Sequence, residues 1–333
     1  MTTDPTQLFW TPAELSNLAV EYYDYIGTTP GVQWSVLSMR DMLAWRPGTI
    51  IALVARPGHG KTTVSAFKAM ETAQQIVRER KQAQECVLYV SLDQAVDELE
   101  ALFFAGDDYS ATDYMETSVP REVVVGRSLK RPDLPIWTMG KSVLRRRSTP
   151  RMTIDVLYSG IEAMEQKYGV KPRLIIVDYV QIVPAVKASE RTQQVSEAVI
   201  RGGELALNVG CPILFDAQAS RAAEQRDDRM PTLADCQHSS QLEQDSDVVL
   251  TAQRPWLLHR KRTINGQPVQ LELNGERYPI TEDLFLLRVE KQRFKGAGKL
   301  YVLRMLPQYV RLADMELERA EPDFGPAVQE ELL

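Results

Sequence analysis

The stretch "ARPGHGKTT", Ala55 to Thr63, decides how the rest of the chain is read. It follows the apolar run "IIALVA" and leads into "TVSAFKAMETAQQIVRER", a helical pattern. A glycine-rich loop between a strand and a helix presents successive backbone N–H groups at a helix N-terminus, where an anion is favoured. Gly58 and Gly60 allow close backbone approach, and Arg56, Pro57 and His59 complete the loop. Lys61 is spaced to reach the β- and γ-phosphates of a nucleotide, and Thr62, followed by Thr63, to offer a hydroxyl to Mg²⁺. The pattern normally opens on glycine. Ala55 stands there instead, and the Gly-Lys-Thr centre is intact.

Outward from this loop, "VLYVSL", "LIIVDYV", "PILFDAQ" and "DVVLTAQ" are short runs rich in Val, Ile and Leu with little alternation. That is the pattern of strands buried on both faces. Helical stretches separate several of them. In "TIDVLYSGIEAMEQKYG", Ile154, Leu157, Ile161 and Met164 share one face and Gly169 provides a stop. Alternating strands and helices predict an α/β fold with a mainly parallel, doubly wound sheet. "LFLLRVEKQ" and "LYVLRML" flank the basic turn in "EKQRFKGAGK", Glu290 to Lys299, and predict a terminal antiparallel hairpin. Near the N-terminus, "TPAELSNLAVEYYDYIG" reads as one helix, with Thr11 and Glu14 as a capping box and Pro12 at its first position. Its apolar stripe, Leu15, Leu18, Tyr22 and Ile26, must be covered either by its own domain or by a neighbouring subunit. The expected division is an arm over residues 1–30, one α/β domain over 31–312 and an acidic tail over 313–333.

Composition narrows the function classes. The chain has 333 residues and a formal net charge of -6, which argues against a protein coated in nucleic acid but allows a local basic channel. No apolar run is long enough to span a bilayer, and the N-terminus lacks a secretory pattern. Cys86, Cys211 and Cys236 form no metal-binding spacing, and His59, His238 and His259 are equally scattered. A cytoplasmic, reducing setting is expected.

Three further residues belong to the predicted site. Asp178 ends a buried strand, where a carboxylate points into the ligand crevice and can hold Mg²⁺. Asp93 ends "VLYVSLD" and is placed to orient or deprotonate an attacking water, while Asp97, Glu98 and Glu100 read as the exposed side of a following helix. Gln218 ends "PILFDAQ" and can sense the γ-phosphate.

Four blocks in this order resemble the motor domain of DnaB-type replicative helicases, a RecA-like P-loop NTPase fold: "ARPGHGKTT", "LYVSLD", "LIIVDYVQIV" with "RTQQVSEAV", and "ILFDAQASR" with "MPTLADCQHSSQLEQDSDVVL". The resemblance spans about residues 31–312, and "LEQDSDVV" is its most specific part. It implies an ATP- and Mg²⁺-dependent ring, a hexamer, that moves on single-stranded DNA with the help of a loader or recruitment protein. It assigns Lys291 and Arg293 of the hairpin to the γ-phosphate held by the adjacent subunit, a role worth about 10³ to 10⁵ in rate where best studied. It points the loops carrying Lys187 and Arg191, then Arg221, Arg226 and Arg229, at a central channel, together with Gln237, His238 and Ser239. These contacts would be to the DNA backbone and largely independent of sequence. The helix at residues 11–26 matches the family's linker helix, which docks on the adjacent subunit.

This chain departs from the family pattern at several points. Asp93 replaces the usual Glu, and Gln237, His238 and Ser240 replace the usual Arg, Glu and Gly. The family's helical N-terminal domain has no counterpart here, so coupling to primase is not expected. These departures keep an alternative open: an ATPase that uses nucleotide as an assembly switch in transposition, defence or clock regulation, without processive unwinding.

Overall fold

A computed structural model describes residues 10–29, 31–146, 148, 151–185, 190–225, 230–236, 240–259, 263–264, 267–273 and 275–315. The main sheet contains β1 (Ile50–Ala55), β2 (Glu85–Ser91), β3 (Ile136–Met139), β4 (Lys171–Asp178), β5 (Ile213–Gln218) and β6 (Val248–Gln253). Two small antiparallel pairs follow, β7 (Thr263–Ile264) with β8 (Gln267–Pro268) and β9 (Gln270–Leu273) with β10 (Glu276–Pro279). The chain then rejoins the main sheet through β11 (Leu284–Gln292), β12 (Leu300–Leu306) and β13 (Arg311–Asp314). The sheet order is β13-β12-β11-β6-β1-β5-β4-β2-β3. The pairs from β6 to β3 are parallel, and β11 to β13 add an antiparallel extension. The fold is therefore RecA-like α/β.

The five predicted apolar runs all became strands, and every residue of β1 is buried. The predicted hairpin is β11 with β12, in register from Leu284 opposite Arg304 to Arg288 opposite Leu300. Two edge strands had no comparable signal. β3 is only four residues long and mostly half-buried. β13 carries the ordered chain to Asp314, two residues past Leu312.

Helices cover both faces of the sheet. On one lies α2 (Lys61–Arg78), packed with the segment from Val32 to Trp45. On the other lie α6 (Ile154–Tyr168) and α7 (Arg191–Val209). The buried residues of α6 are Ile154, Leu157, Ile161 and Met164, the predicted face, and Gly169 caps it at φ +68°. In α7, a side chain at Gly202 would begin 2.3 Å from Phe215 Cζ, so the helix lies directly on β5. The P-loop helix is pinned from above. Lys68 is fully buried, bonded to Glu71 and to the Gln33 carbonyl, with its ammonium 4.4 Å from the Trp34 ring centroid and 5.1 Å from that of Trp45. Ser35 N–H also donates to Glu71.

The N-terminal helix α1 (Pro12–Thr28) begins with the expected capping box. None of its residues is buried, and Leu15, Leu18 and Tyr22 remain exposed. Packing of its stripe on its own domain is therefore not observed. Only its C-terminus is tied down, by Arg46 donating to the carbonyls of Ile26 and Thr29. No described helix is long and apolar enough to cross a membrane.

Candidate nucleotide-binding site

The phosphate loop leaves the C-terminal end of β1 and opens α2 with Gly60 as N-cap. Gly58 and Gly60 take φ of +79° and +89°, left-handed values that favour glycine. A Cβ on Gly60 would sit 2.6 Å from Met305 Cε, so this turn requires glycine for space as well as for φ. His59 is buried, and its Nδ1 accepts a hydrogen bond from Arg254 N–H at 3.1 Å. Arg56 donates to the Ala219 carbonyl at 3.1 Å, tying the loop to the chain leaving β5.

Because β1, β5, β4 and β2 are parallel, their C-terminal ends converge on this loop. Lys61 Nζ is 2.8 Å from Asp178 Oδ1, and the Thr62 hydroxyl donates to Asp178 Oδ2 at 2.8 Å. Tyr89, fully buried on β2, donates to the same Oδ2 at 3.1 Å. Burial and then the Asp178 charge push the Tyr89 hydroxyl well above its ordinary range, so it remains a donor. Burial would lower the Lys61 ammonium, but the carboxyl groups of Asp216 and Asp178 outweigh it and the value is raised. Lys61 therefore stays charged in a half-dry site.

Asp216 is the residue sequence reading missed here, although it lies inside the quoted "PILFDAQ". It is fully buried on β5 and accepts from the Ser65 hydroxyl at 2.7 Å. Burial, followed by the Asp178 charge, pushes it well above the usual carboxylate range. It sits in the site as a neutral acid, leaving the negative charge on Asp178. Thr62 and Asp178 are hard oxygen donors side by side, a set that fits Mg²⁺ completed by phosphate oxygens and water.

Asp93 lies two residues beyond the end of β2, in a bend, and is exposed, so it is not the strand-end residue the sequence suggested. In register, Ser91 is the residue beside Asp178. Asp97 and Glu100 also differ from expectation. Both are half-buried on α3 (Val96–Phe104): Asp97 accepts from the Ser142 hydroxyl at 2.9 Å, and Glu100 pairs with Arg131 at 2.8 Å. Gln218 ends β5 as expected, and the Gln181 side chain accepts from its N–H at 3.1 Å and donates to its carbonyl at 3.2 Å. That clamp was not read from "DYVQIV".

Beside Thr62 and Thr63 opens a cleft of about 670 Å³. Leu102, Ala111, Leu306 and Pro307 contribute an apolar wall, and Arg254, Glu282 and Asp283 a charged rim.

Lys291 and Arg293 lie elsewhere. β11 runs antiparallel to β6, so Leu286 pairs with Gln253 near the phosphate loop while Gln292 pairs with Val248 at the opposite edge. That edge is about 20 Å away, the span of a six-residue strand. There Lys291 Nζ donates to the Glu243 and Gln244 carbonyls at 2.8 and 2.9 Å. Arg293 pairs with Asp247 at 2.9 Å, and Asp247 also accepts from Ile50 N–H at 2.8 Å. Asp41 holds the base of the turn through Lys295, Lys299 and the Tyr301 hydroxyl. Neither Asp41 nor Asp247 was singled out from sequence, though Asp247 belongs to "LEQDSDVV".

Of the expected DNA-facing residues, Arg191 opens α7 and Arg221 starts the turn after β5, both exposed. Lys187, Arg226, Arg229, Gln237, His238 and Ser239 lie outside the described residues.

Residues 31–314 match the profile of the DnaB-like helicase C-terminal domain. The replicative DNA helicase DnaB of Mycoplasma genitalium is 30% identical over 262 residues, 77% of this chain and 50% of that protein. That of Leifsonia xyli subsp. xyli is 28% identical over 224 residues, 65% of this chain and 43% of that protein. The chain thus spans about half the length of the curated relatives it matches. Among solved structures, a DnaB-like replicative helicase described with its interactions with primase superposes with a TM-score of 0.69 at 19% identity, over 92% of this chain and 67% of that one. An isolated ATPase domain superposes with a TM-score of 0.70, also at 19% identity, over 91% of this chain and 99% of the domain.

Proposed function

Since the chain belongs to the DnaB-like helicase C-terminal domain family, whose members imply ATP hydrolysis, we propose that it is a Mg²⁺-dependent ATPase that assembles head to tail and moves on single-stranded DNA. The observation that carries this reading is the separation of the site into two halves on opposite strand edges. The loop, Lys61, Thr62 and Asp178 can bind a triphosphate, but the hairpin cations are about 20 Å from that loop. Only a second subunit, turned so that its hairpin edge meets this loop, brings the halves together. Repetition of such a heterologous contact closes a ring or continues as a filament.

In this reading the loop's N–H groups and Lys61 hold the β- and γ-phosphates, and Lys61 exchanges its bond to Asp178 for phosphate oxygens. Thr62 and Asp178 would hold Mg²⁺, which supplies charge neutralisation across the phosphates. Asp93 orients the attacking water. Gln218, fixed through its backbone by Gln181, reports the γ-phosphate to the turn carrying Arg221. Lys291 and Arg293 of the neighbour stabilise charge on the transferring group. Arg191, Arg221 and the residues at 187, 226, 229 and 237–239 contact DNA phosphates, and α1 covers its exposed stripe on the adjacent subunit.

The exposed position of Asp93 favours a second reading, a slow nucleotide switch with no need for DNA. Mixing two inactive variants tests the shared site. Lys61→Ala and Arg293→Ala subunits, each inactive alone, should regain activity together, because some interfaces then hold an intact loop and an intact Arg293. No regain means the site is not shared. Hydrolysis measured with and without single-stranded DNA, at two salt concentrations, separates motor from switch. DNA stimulation weakened by salt supports the motor, and DNA-indifferent slow turnover supports the switch.

A further inference from the structure

The hairpin tip carries one residue that neither phosphate binding nor the fold accounts for. Phe294 is 100% exposed, and its φ is +65°. A bulky side chain in the left-handed region is strained, and glycines stand nearby in the same turn at Gly296 and Gly298. The cations around it are all engaged within the chain: Lys291 with the end of α8 (Ser240–Asp245), Arg293 with Asp247, and Lys295 and Lys299 with Asp41. These contacts fix the turn and leave the ring of Phe294 projecting into solvent.

We propose that Phe294 is the apolar anchor of the head-to-tail contact, and that it seats in the cleft beside the phosphate loop of a second copy of this chain. The proposal rests on the shared-site reading above, and it adds a binding residue with its receptor. If Arg293 meets the neighbour's γ-phosphate, the adjacent Cα of Phe294 is 3.8 Å further along the chain and must lie at the same cleft. The cleft offers matching chemistry. Its wall of Leu102, Ala111, Leu306 and Pro307 suits an aromatic ring, and its rim residues Glu282 and Asp283 face the incoming basic turn with opposite charge. Burying a Phe side chain strengthens association by about ten- to a hundred-fold.

Benzoylphenylalanine introduced at position 294 reads the receptor directly. Irradiation of the assembled, nucleotide-loaded protein should link it between chains to peptides holding Ala111 or Leu306–Pro307. Links confined to its own chain, or to another surface, overturn the assignment. Phe294→Gly supplies the second measurement, because it relieves the backbone strain while removing the anchor. Its subunit should be at least as heat-stable as the wild type, while self-association weakens about ten- to a hundred-fold. Unchanged self-association would also overturn the proposal. Arg293→Ala distinguishes the two levels. If Lys61→Ala and Arg293→Ala complement each other while position 294 makes no link to the cleft, the shared site stands and the anchor falls. If they do not complement and the wild type stays monomeric, both fall.

Discussion

The two edges of the sheet are built on different principles. At the phosphate-loop edge the polar groups are buried and bonded to one another: Tyr89, Thr62 and Lys61 all converge on Asp178, and Ser65 holds Asp216. At the hairpin edge the cations stand in solvent and hold surface partners, as Arg293, 56% exposed, does with Asp247. The first edge is preorganised by the fold around it. The second keeps its charges where a different molecule can reach them. Substitutions at the loop edge should therefore damage fold and function together, while substitutions at the hairpin edge should separate the two.

Arg293→Ala gives the largest expected effect and the clearest separation. Turnover should fall by about 10³-fold or more, as when a trans arginine is removed. Stability should fall by less than about 1 kcal/mol, the ordinary worth of an exposed ion pair. Turnover and urea denaturation on the same preparation check this. A stability loss of several kcal/mol would mean that Arg293 serves the fold, and the contrast between the edges would break.

Gly60→Ala is the counterpart at the loop edge. The new Cβ meets Met305, which is itself fully buried, at a φ that disfavours any side chain. Strain and overpacking together should cost about 2–4 kcal/mol, with loss of nucleotide binding. Met305→Ala in the same chain removes the collision but not the φ strain, so stability should recover only in part. Full recovery would show that space alone selects glycine there.

How much of this was legible depends on the range of the interactions. The loop, its flanking strand and helix, the α6 face and the hairpin are local patterns, and the structure has them where the sequence puts them. Asp178 was legible because its strand position follows from one buried run. Asp216 was not, because a lone Asp inside "ILFDAQ" gains meaning only when Ser65 and Asp178 arrive from other elements. Asp41 was hidden for the same reason, lying 258 positions from Lys299 in sequence. Asp93 shows the opposite error. A strand-end pattern placed it correctly along the chain but gave it the geometry of a strand residue, whereas the strand stops at Ser91. The site for Lys291 and Arg293 could not be read from spacing within one chain, because their distance from their own loop is the informative fact.

Lys68 sharpens the comparison through pH. Burial, only partly offset by Glu71, lowers its ammonium from 10.5 to about 8. Below about pH 8 it carries its proton folded or unfolded. Between about 8 and 10.5 the unfolded chain binds the extra proton, so this group's contribution to stability rises with pH, by at most roughly 3 kcal/mol. Denaturation of the wild type and of Lys68→Met with Glu71→Gln should show this as a difference in slope over that range, since other titrations are common to both. Parallel slopes would mean the Lys68 ammonium is not held in a dry box above the P-loop helix.

The smallest effect on stability is expected from removing residues 1–28. No residue of α1 is buried, and the two Arg46 bonds at its end are partly exposed. Loss of an uncovered helix should change subunit stability by no more than about 0.5 kcal/mol. Self-association should nonetheless weaken, because an apolar stripe left bare on one subunit gains only by being covered on another. Sedimentation of the truncated chain beside its denaturation curve reads both quantities. If stability drops while assembly is unchanged, α1 belongs with the buried loop edge as part of the fold. If assembly alone is lost, it belongs with the hairpin as a surface held ready for the next subunit.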